Sequence, residues 1–190
     1  MHYGDFVRRH ARRNSGKVAV VDRDRHIPYG ELHHRTERLS RALLGRGTVP
    51  GECIAFLGDN GHLPFEIMVT AAKLGLTYVP VDFRLTDDEV LSILGDCQPA
   101  VVVVGPRHLA LTERIRGRAG FVRDWISVSP APTQGFAPYE GMIASAENGG
   151  LDYADDRNLF SIIYTSGTTG RAKGVKISHR NTLLLISAES

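Results

Sequence analysis

The chain has 190 residues, 42% hydrophobic and 23% charged, with a formal net charge of +2. This length allows one domain with its own core, and the composition excludes a disordered chain, a collagen-like repeat and a disulfide scaffold. The balance is uneven along the chain, since residues 1–50 hold eleven Arg and Lys against five Asp and Glu, and residues 51–106 hold two against eight.

At the N-terminus, Asp5 with the aromatic Tyr3 and Phe6 fits a docked helix better than a transit peptide, and Arg8, Arg9, Arg12 and Arg13 read as its solvated face. Tyr29 to Arg46 places Leu32, Leu39, Ala42 and Leu43 on one stripe and ends in Gly45 and Gly47, which predicts an amphipathic helix with a glycine stop. The run ECIAFLG, residues 52–58, predicts a strand buried on both faces, and a helix is expected over Phe65 to Leu74. In YVPVDF, residues 78–83, Pro80 points to an edge strand or a strand end. Thr86 to Glu89 has capping-box spacing, so a helix should run from Asp87 to about Leu94.

Residues 100–105, AVVVVG, form the clearest strand pattern, followed by the helical pattern RHLALTERIRGR. Alternating strands and helices at short spacing imply right-handed βαβ units, and so an α/β fold with a mainly parallel sheet covered by helices. Ser129 to Gly150, rich in Pro and Gly, reads as a long loop with a short helix around Glu140 to Ala146. Leu159 to Tyr164 and Val175 to Ser178 are two further strands.

Cys53 and Cys97 lie far apart in sequence, outside any CxxC pair, and read as buried free thiols. The longest apolar run, Ala100 to Val104, is far too short to cross a bilayer, so no transmembrane segment and a cytoplasmic location are expected. Aromatic residues are too scattered for a stacking platform, which argues against a nucleic-acid partner. His33 and His34 are adjacent on a predicted helix and point apart, so no metal site is expected there.

The chemistry concentrates in YTSGTTGRAKGV, residues 164–175, between the last two strands. Glycines at 167, 170 and 174 permit positive φ and close backbone approach, exposing N–H groups that can cradle an anion. Thr165, Ser166, Thr168 and Thr169 add hydroxyls, and Lys173 adds a charge that can reach a phosphate oxygen. The P-loop pattern is not met, because Gly174 rather than Ser or Thr follows Lys173.

At these residues the chain resembles the adenylate-forming (AMP-binding) superfamily, whose phosphate loop reads as an aromatic residue, TSG, Ser or Thr, TG, any residue, PKG. Tyr164 to Gly170, Lys173 and Gly174 match, and Ala172 stands where the family usually has proline. IPYGELHHRTERLSRALLGRG, AAKLGLTYVPVDFRLT and SHRN resemble further family segments in the expected order, so the likeness covers nearly the whole chain. The VPVDFRLT segment leans towards acyl-CoA or aryl-CoA synthetases over amino-acid-activating domains, with Asp82 where many acyl-CoA ligases have Asn.

The resemblance implies an AMP-forming synthetase that activates a small-molecule carboxylate with ATP and Mg2+ to an acyl-adenylate, then passes it to coenzyme A. Thr165, Ser166, Gly167, Thr168, Thr169, Gly170 and Lys173 would bind the nucleotide's phosphates. It implies no catalytic residue within the chain, because the family's catalytic lysine lies in a C-terminal domain further downstream. Residues 1–190 would be the N-terminal part, with the phosphate loop at 164–174 and the C-terminal domain absent, and would be inactive alone. Exposed apolar surface where the next subdomain packs should then favour homo-oligomers. Two alternatives stand beside this reading: a non-catalytic binding or scaffold module, and a fragment of an amino-acid- or aryl-acid-adenylating domain.

Overall fold

The structure is a computed structural model and describes residues 3–147, 151, 159–165 and 172–182. Two helices frame a small hairpin at the start: α1 (Tyr3–Arg13), β1 (Val18–Asp22), β2 (Arg25–Pro28) and α2 (Tyr29–Gly45). The alternating part follows as β3 (Cys53–Leu57), α3 (His62–Leu74), β4 (Thr77–Val81), α4 (Asp87–Cys97), β5 (Val101–Val104) and α5 (Leu109–Ile115). Then come β6 (Asp124–Ser127), β7 (Ala137–Pro138), α6 (Tyr139–Ser145), β8 (Leu159–Thr165) and β9 (Lys173–Ser178).

Seven strands form one sheet in the order β7-β6-β5-β3-β4-β8-β9, while β1 and β2 pair separately. All neighbours in the large sheet are parallel except β8 and β9, which form an antiparallel hairpin at one edge. This is the expected mainly parallel α/β architecture.

Period-two alternation along the strands divides the core into two layers. Ile54, Phe56, Tyr78, Val101, Val103 and Ile126 face α2, α3 and α6 and pack with Leu39, Leu43 and Ile67. Their neighbours Ala55, Leu57, Val79, Val81, Val102 and Val104 face the other way, towards Val90, Ile93 and Leu94 of α4 and Ile115 of α5. Both faces of β3 and β5 are thus covered, which is why those segments read as continuous apolar runs.

The expected stop of α2 is present: the Arg46 N–H reaches back to the Leu43 and Leu44 carbonyls, and Gly47 follows at φ +80°. The capping box of α4 is also present, with Glu89 Oε2 accepting from the Thr86 N–H at 2.8 Å and from its hydroxyl at 2.7 Å.

Three expectations change. β4 is an interior strand between β3 and β8, so Pro80 marks a strand end rather than an edge; β4 pairs with β8 only at Tyr78↔Ser161, before the proline. The helix expected from Phe65 begins at His62, whose N–H and Nδ1 contact Asp22 Oδ2 at 3.1 and 2.7 Å. That carboxylate, reaching over from β1, satisfies the start of α3 where its own sequence offers no cap. The two cysteines are free but only half-buried; burial still raises both thiol pKa values, that of Cys97 to about 12.

The layer under α2 and α3 also encloses charge. Lys73 is fully buried, and its Nζ donates to Thr36 Oγ1 at 2.8 Å and to Glu37 Oε1 at 2.9 Å and contacts His33 Nδ1 at 3.1 Å. Arg35 bridges α3 to α6 by donating to Glu66 Oε1 and to Glu140 Oε1, each at 2.7 Å. Burial raises the pKa of Glu66 while the Arg35 guanidinium opposes that rise.

Candidate nucleotide-phosphate site

The glycine-rich segment links β8 to β9, which pair as an antiparallel hairpin. The cross-strand partners run Ile162↔Lys176, Ile163↔Val175, Tyr164↔Gly174 and Thr165↔Lys173. Thr165 and Lys173 therefore face each other at the mouth of the hairpin, both exposed. Ser166, Gly167, Thr168, Thr169 and Gly170 lie outside the described residues.

β8 runs parallel to β4, so the hairpin mouth lies beyond the carboxyl end of β8, on the side of the sheet where α/β folds present ligand loops. Such folds favour the crevice where strand order reverses, here between β3 and β5. In this chain that crevice is pinched: a Cβ on Gly105 would lie 3.1 Å from Gly58 Cα. The side chains above it pair with one another, Asp59 lying 3.5 Å from both Arg107 Nη1 and His108 Nε2. At the carboxyl end of β8, by contrast, Thr165 and its partner Lys173 are exposed.

Tyr164 anchors the hairpin. Its ring packs in the layer under α4, and its hydroxyl donates to Asp96 Oδ2 at 2.5 Å. Burial, then the bond to Asp96, pushes the phenol pKa well up, so the group stays a neutral donor. Gly174 sits across the ladder from it. A Cβ there would lie 2.7 Å from Ile162 Cγ2 and 3.2 Å from Tyr164 Cζ, so the glycine makes room for the anchoring ring. Its φ is not in the left-handed region, which corrects the expectation that Gly174 serves as a positive-φ residue; close approach is its role. Gly167 and Gly170 are outside the described residues.

At the end of the neighbouring strand β4, Asp82 is clamped by Arg84, which donates from its N–H at 2.9 Å, from Nε at 3.0 Å and from Nη2 at 2.6 Å. These bonds hold the Asp82 carboxyl at about 2. An acid at this position therefore adds no unbalanced negative charge near the hairpin.

Beyond β9, Ser178 starts a helical turn over residues 179–182, its Oγ donating to Asn181 Oδ1 at 2.6 Å and accepting from the Asn181 N–H at 3.2 Å. His179, in the SHRN segment, is fully buried, with its ring centroid 5.2 Å from that of Phe160. It ties the end of the hairpin to the start of β8. His33 accepts from Lys73, and burial followed by that neighbouring charge lowers its pKa to about 4. Among the described residues no three His, Cys, Asp or Glu side chains gather as a metal site.

Sequence reading missed Asp96 as the anchor of Tyr164, because 68 positions separate the two. The only available signal was the capping box, which fixes α4 and hence Asp96.

The family model described as AMP-binding enzyme matches residues 7–189. Indoleacetate–CoA ligase of Aromatoleum aromaticum is 32% identical over 94% of the chain, which spans 35% of that relative's length. The inhibitor-bound N-terminal domain of FACL13 from Mycobacterium tuberculosis superposes with a TM-score of 0.80 at 29% identity, over 94% of this chain and 44% of that one. Anthranilate CoA ligase AuaEII, solved with anthranoyl-AMP, superposes at 0.92 over 98% of this chain and 36% of that one; at 24% identity the likeness is one of fold. By its match over residues 7–189, the chain belongs to the AMP-binding enzyme family.

Proposed function

We propose that the chain forms the phosphate-handling N-terminal part of an AMP-forming acid–thiol ligase, which activates a carboxylic acid with ATP and transfers the acyl group to coenzyme A in the cytoplasm. The observation that carries this reading is the hairpin mouth, where Thr165 and Lys173 stand opposite each other at the carboxyl end of β8. Thr165, Ser166, Gly167, Thr168, Thr169 and Gly170 would surround the β- and γ-phosphates with hydroxyl and N–H donors. Lys173 would hold a point charge against the pyrophosphate as it leaves.

Mg2+ would neutralise phosphate charge when bound. The described residues offer no cluster of acids for it, so the fit is to a metal carried by the nucleotide's own phosphates. Tyr164, held by Asp96, would keep the strands that carry Thr165 and Lys173 aligned. The indoleacetate ligase among the relatives favours a carboxylate site built by the family's further residues. Residues 1–190 would supply the phosphate grip and no catalytic base or acid, with the acyl pocket and a C-terminal domain contributed by sequence outside this span.

Binding of ATP and of inorganic tripolyphosphate to the chain, measured by calorimetry with and without Mg2+, tests this reading. Lys173→Ala should weaken both about tenfold, the size of one lost charge-assisted contact. Equal affinity in the variant would sink the assignment. Carboxylate-dependent exchange of pyrophosphate into ATP should be absent for the chain alone; a normal exchange rate would show that the span is catalytically complete.

A further inference from the structure

A cavity of about 590 Å3 opens at the amino ends of β6 and β7, on the opposite side of the sheet from the phosphate hairpin. Arg46, Arg116 and Arg123 line it together with Trp125, Phe136 and Pro138. Two of the guanidiniums are already engaged by acids. Arg46 donates twice to the buried Asp124 Oδ1, at 2.8 and 2.5 Å, and Arg123 donates to the two Glu52 oxygens at 2.9 and 3.0 Å.

Arg116 is different. Among the described residues no acid pairs with it, and its polar contact is the Gln134 carbonyl at 3.5 Å, the outer limit of a hydrogen bond. Its guanidinium lies over the Phe136 ring, 5.3 Å from the centroid, and against the Gly135 backbone, where a Cβ would come within 2.3 Å of Nη1. Gly135, at φ +77°, both permits the turn and leaves the space. The planar fork is thus oriented before any ligand arrives, which removes part of the ordering cost of binding. Ala119, Val122 and the Trp125–Phe136 pair supply an apolar patch beside Arg116, while Arg46, Arg123 and Asp124 keep the rest of the wall polar.

We propose that this cavity binds a small amphipathic carboxylate, its oxygens on the Arg116 fork and its apolar body against Phe136 and Trp125. A carboxylate matches the two parallel donors of the fork, and an apolar body matches the Phe136 and Trp125 rings beside it, which a bare inorganic anion would leave uncontacted. The site is independent of the phosphate hairpin and of the function proposed for it.

Trp125 is the chain's single tryptophan, so its fluorescence reports from within the cavity. The full chain is titrated with benzoate, with its neutral isostere benzamide and with inorganic phosphate. Benzoate should give a saturable change, while benzamide and phosphate should each bind about tenfold more weakly. Arg116→Gln should weaken benzoate about tenfold, whereas Arg118→Gln, which removes an arginine of the same turn paired instead with Asp88, should leave it unchanged. Circular dichroism checks that both variants fold, and Phe136→Leu, which keeps the fork, should weaken benzoate without restoring a preference for benzamide. No saturable change, or an unchanged benzoate affinity in Arg116→Gln, would overturn the proposal. Phosphate binding as tightly as benzoate would overturn the amphipathic assignment.

Discussion

Strands β3 and β9 belong to one sheet and have little else in common. From Ile54 to Leu57 every residue of β3 is buried, between layers on both faces. Of β9, residues 173–176 are exposed, and its Val175 and the partner Ile163 are 50% and 42% exposed. Stability is concentrated in the middle of the sheet and the candidate chemistry at its edge. As an edge strand, β9 has one neighbour in the sheet, whereas β3 is held by a strand on either side and fixes the register of the interior.

Four measurements would sharpen or break that contrast. Ile54→Ala in β3 should cost about 3 kcal/mol in urea unfolding, the range for truncating a fully packed aliphatic side chain; a loss below about 1 kcal/mol would mean the centre of the sheet is loosely packed. At the border between the two regions, Gly174→Ala should cost about 1–2 kcal/mol, because Ile162 Cγ2 cannot swing away from the added methyl. The same variant should weaken tripolyphosphate binding by tilting Tyr164 off Asp96, and unaltered binding would detach the anchor from the loop.

The third concerns the charged layer. His33 has a folded pKa of about 4 against an unfolded value of 6.5, so the unfolded chain binds the extra proton between those limits. Stability should therefore be full above pH 6.5 and fall as pH drops towards 4, by about 1–2 kcal/mol after solvent screening. His33→Asn should flatten that slope. Lys73, whose burial lowers its pKa to about 8 from 10.5, should add a rise in stability between those values, lost in Lys73→Met. The smallest effect is expected at the edge itself: Val175→Thr should change unfolding free energy by no more than about 0.5 kcal/mol, and a larger loss would show that the exposed Ile163–Val175 pair is covered in solution. Sedimentation of the same variant tests the expected self-association, which should weaken as that pair becomes polar.

The two regions also differed in what their sequence disclosed. β3, β5, α2 and α4 were readable because each is an uninterrupted pattern bounded by its own cap or glycine. The strands β1, β2, β6 and β7 were not. β1 leaves Val18 and Val21 exposed, β6 opens with a buried aspartate that Arg46 neutralises from 78 positions away, and β7 is two residues long. Their existence depends on partners that local periodicity does not contain. In the candidate site, the motif placed a loop between two neighbouring strands, whereas the pairing of Thr165 with Lys173 and the duties of Gly174, Tyr164 and His179 depend on the strand register and on side chains from other elements. The Arg35–Glu66–Glu140 bridge was equally silent, since Arg35 and Glu140 lie 105 positions apart.

The single parallel bridge between β4 and β8 bears on how the chain assembles. The hairpin β8–β9 closes over a few residues and can form within microseconds, but to dock it must join residue 78 to residue 161, a far longer and slower closure. On a ribosome the earlier strands emerge and pair first. The hairpin that would grip the nucleotide is then among the last pieces to be seated, and until it docks the open side of β4 is a place where a nascent chain can pair with the wrong partner.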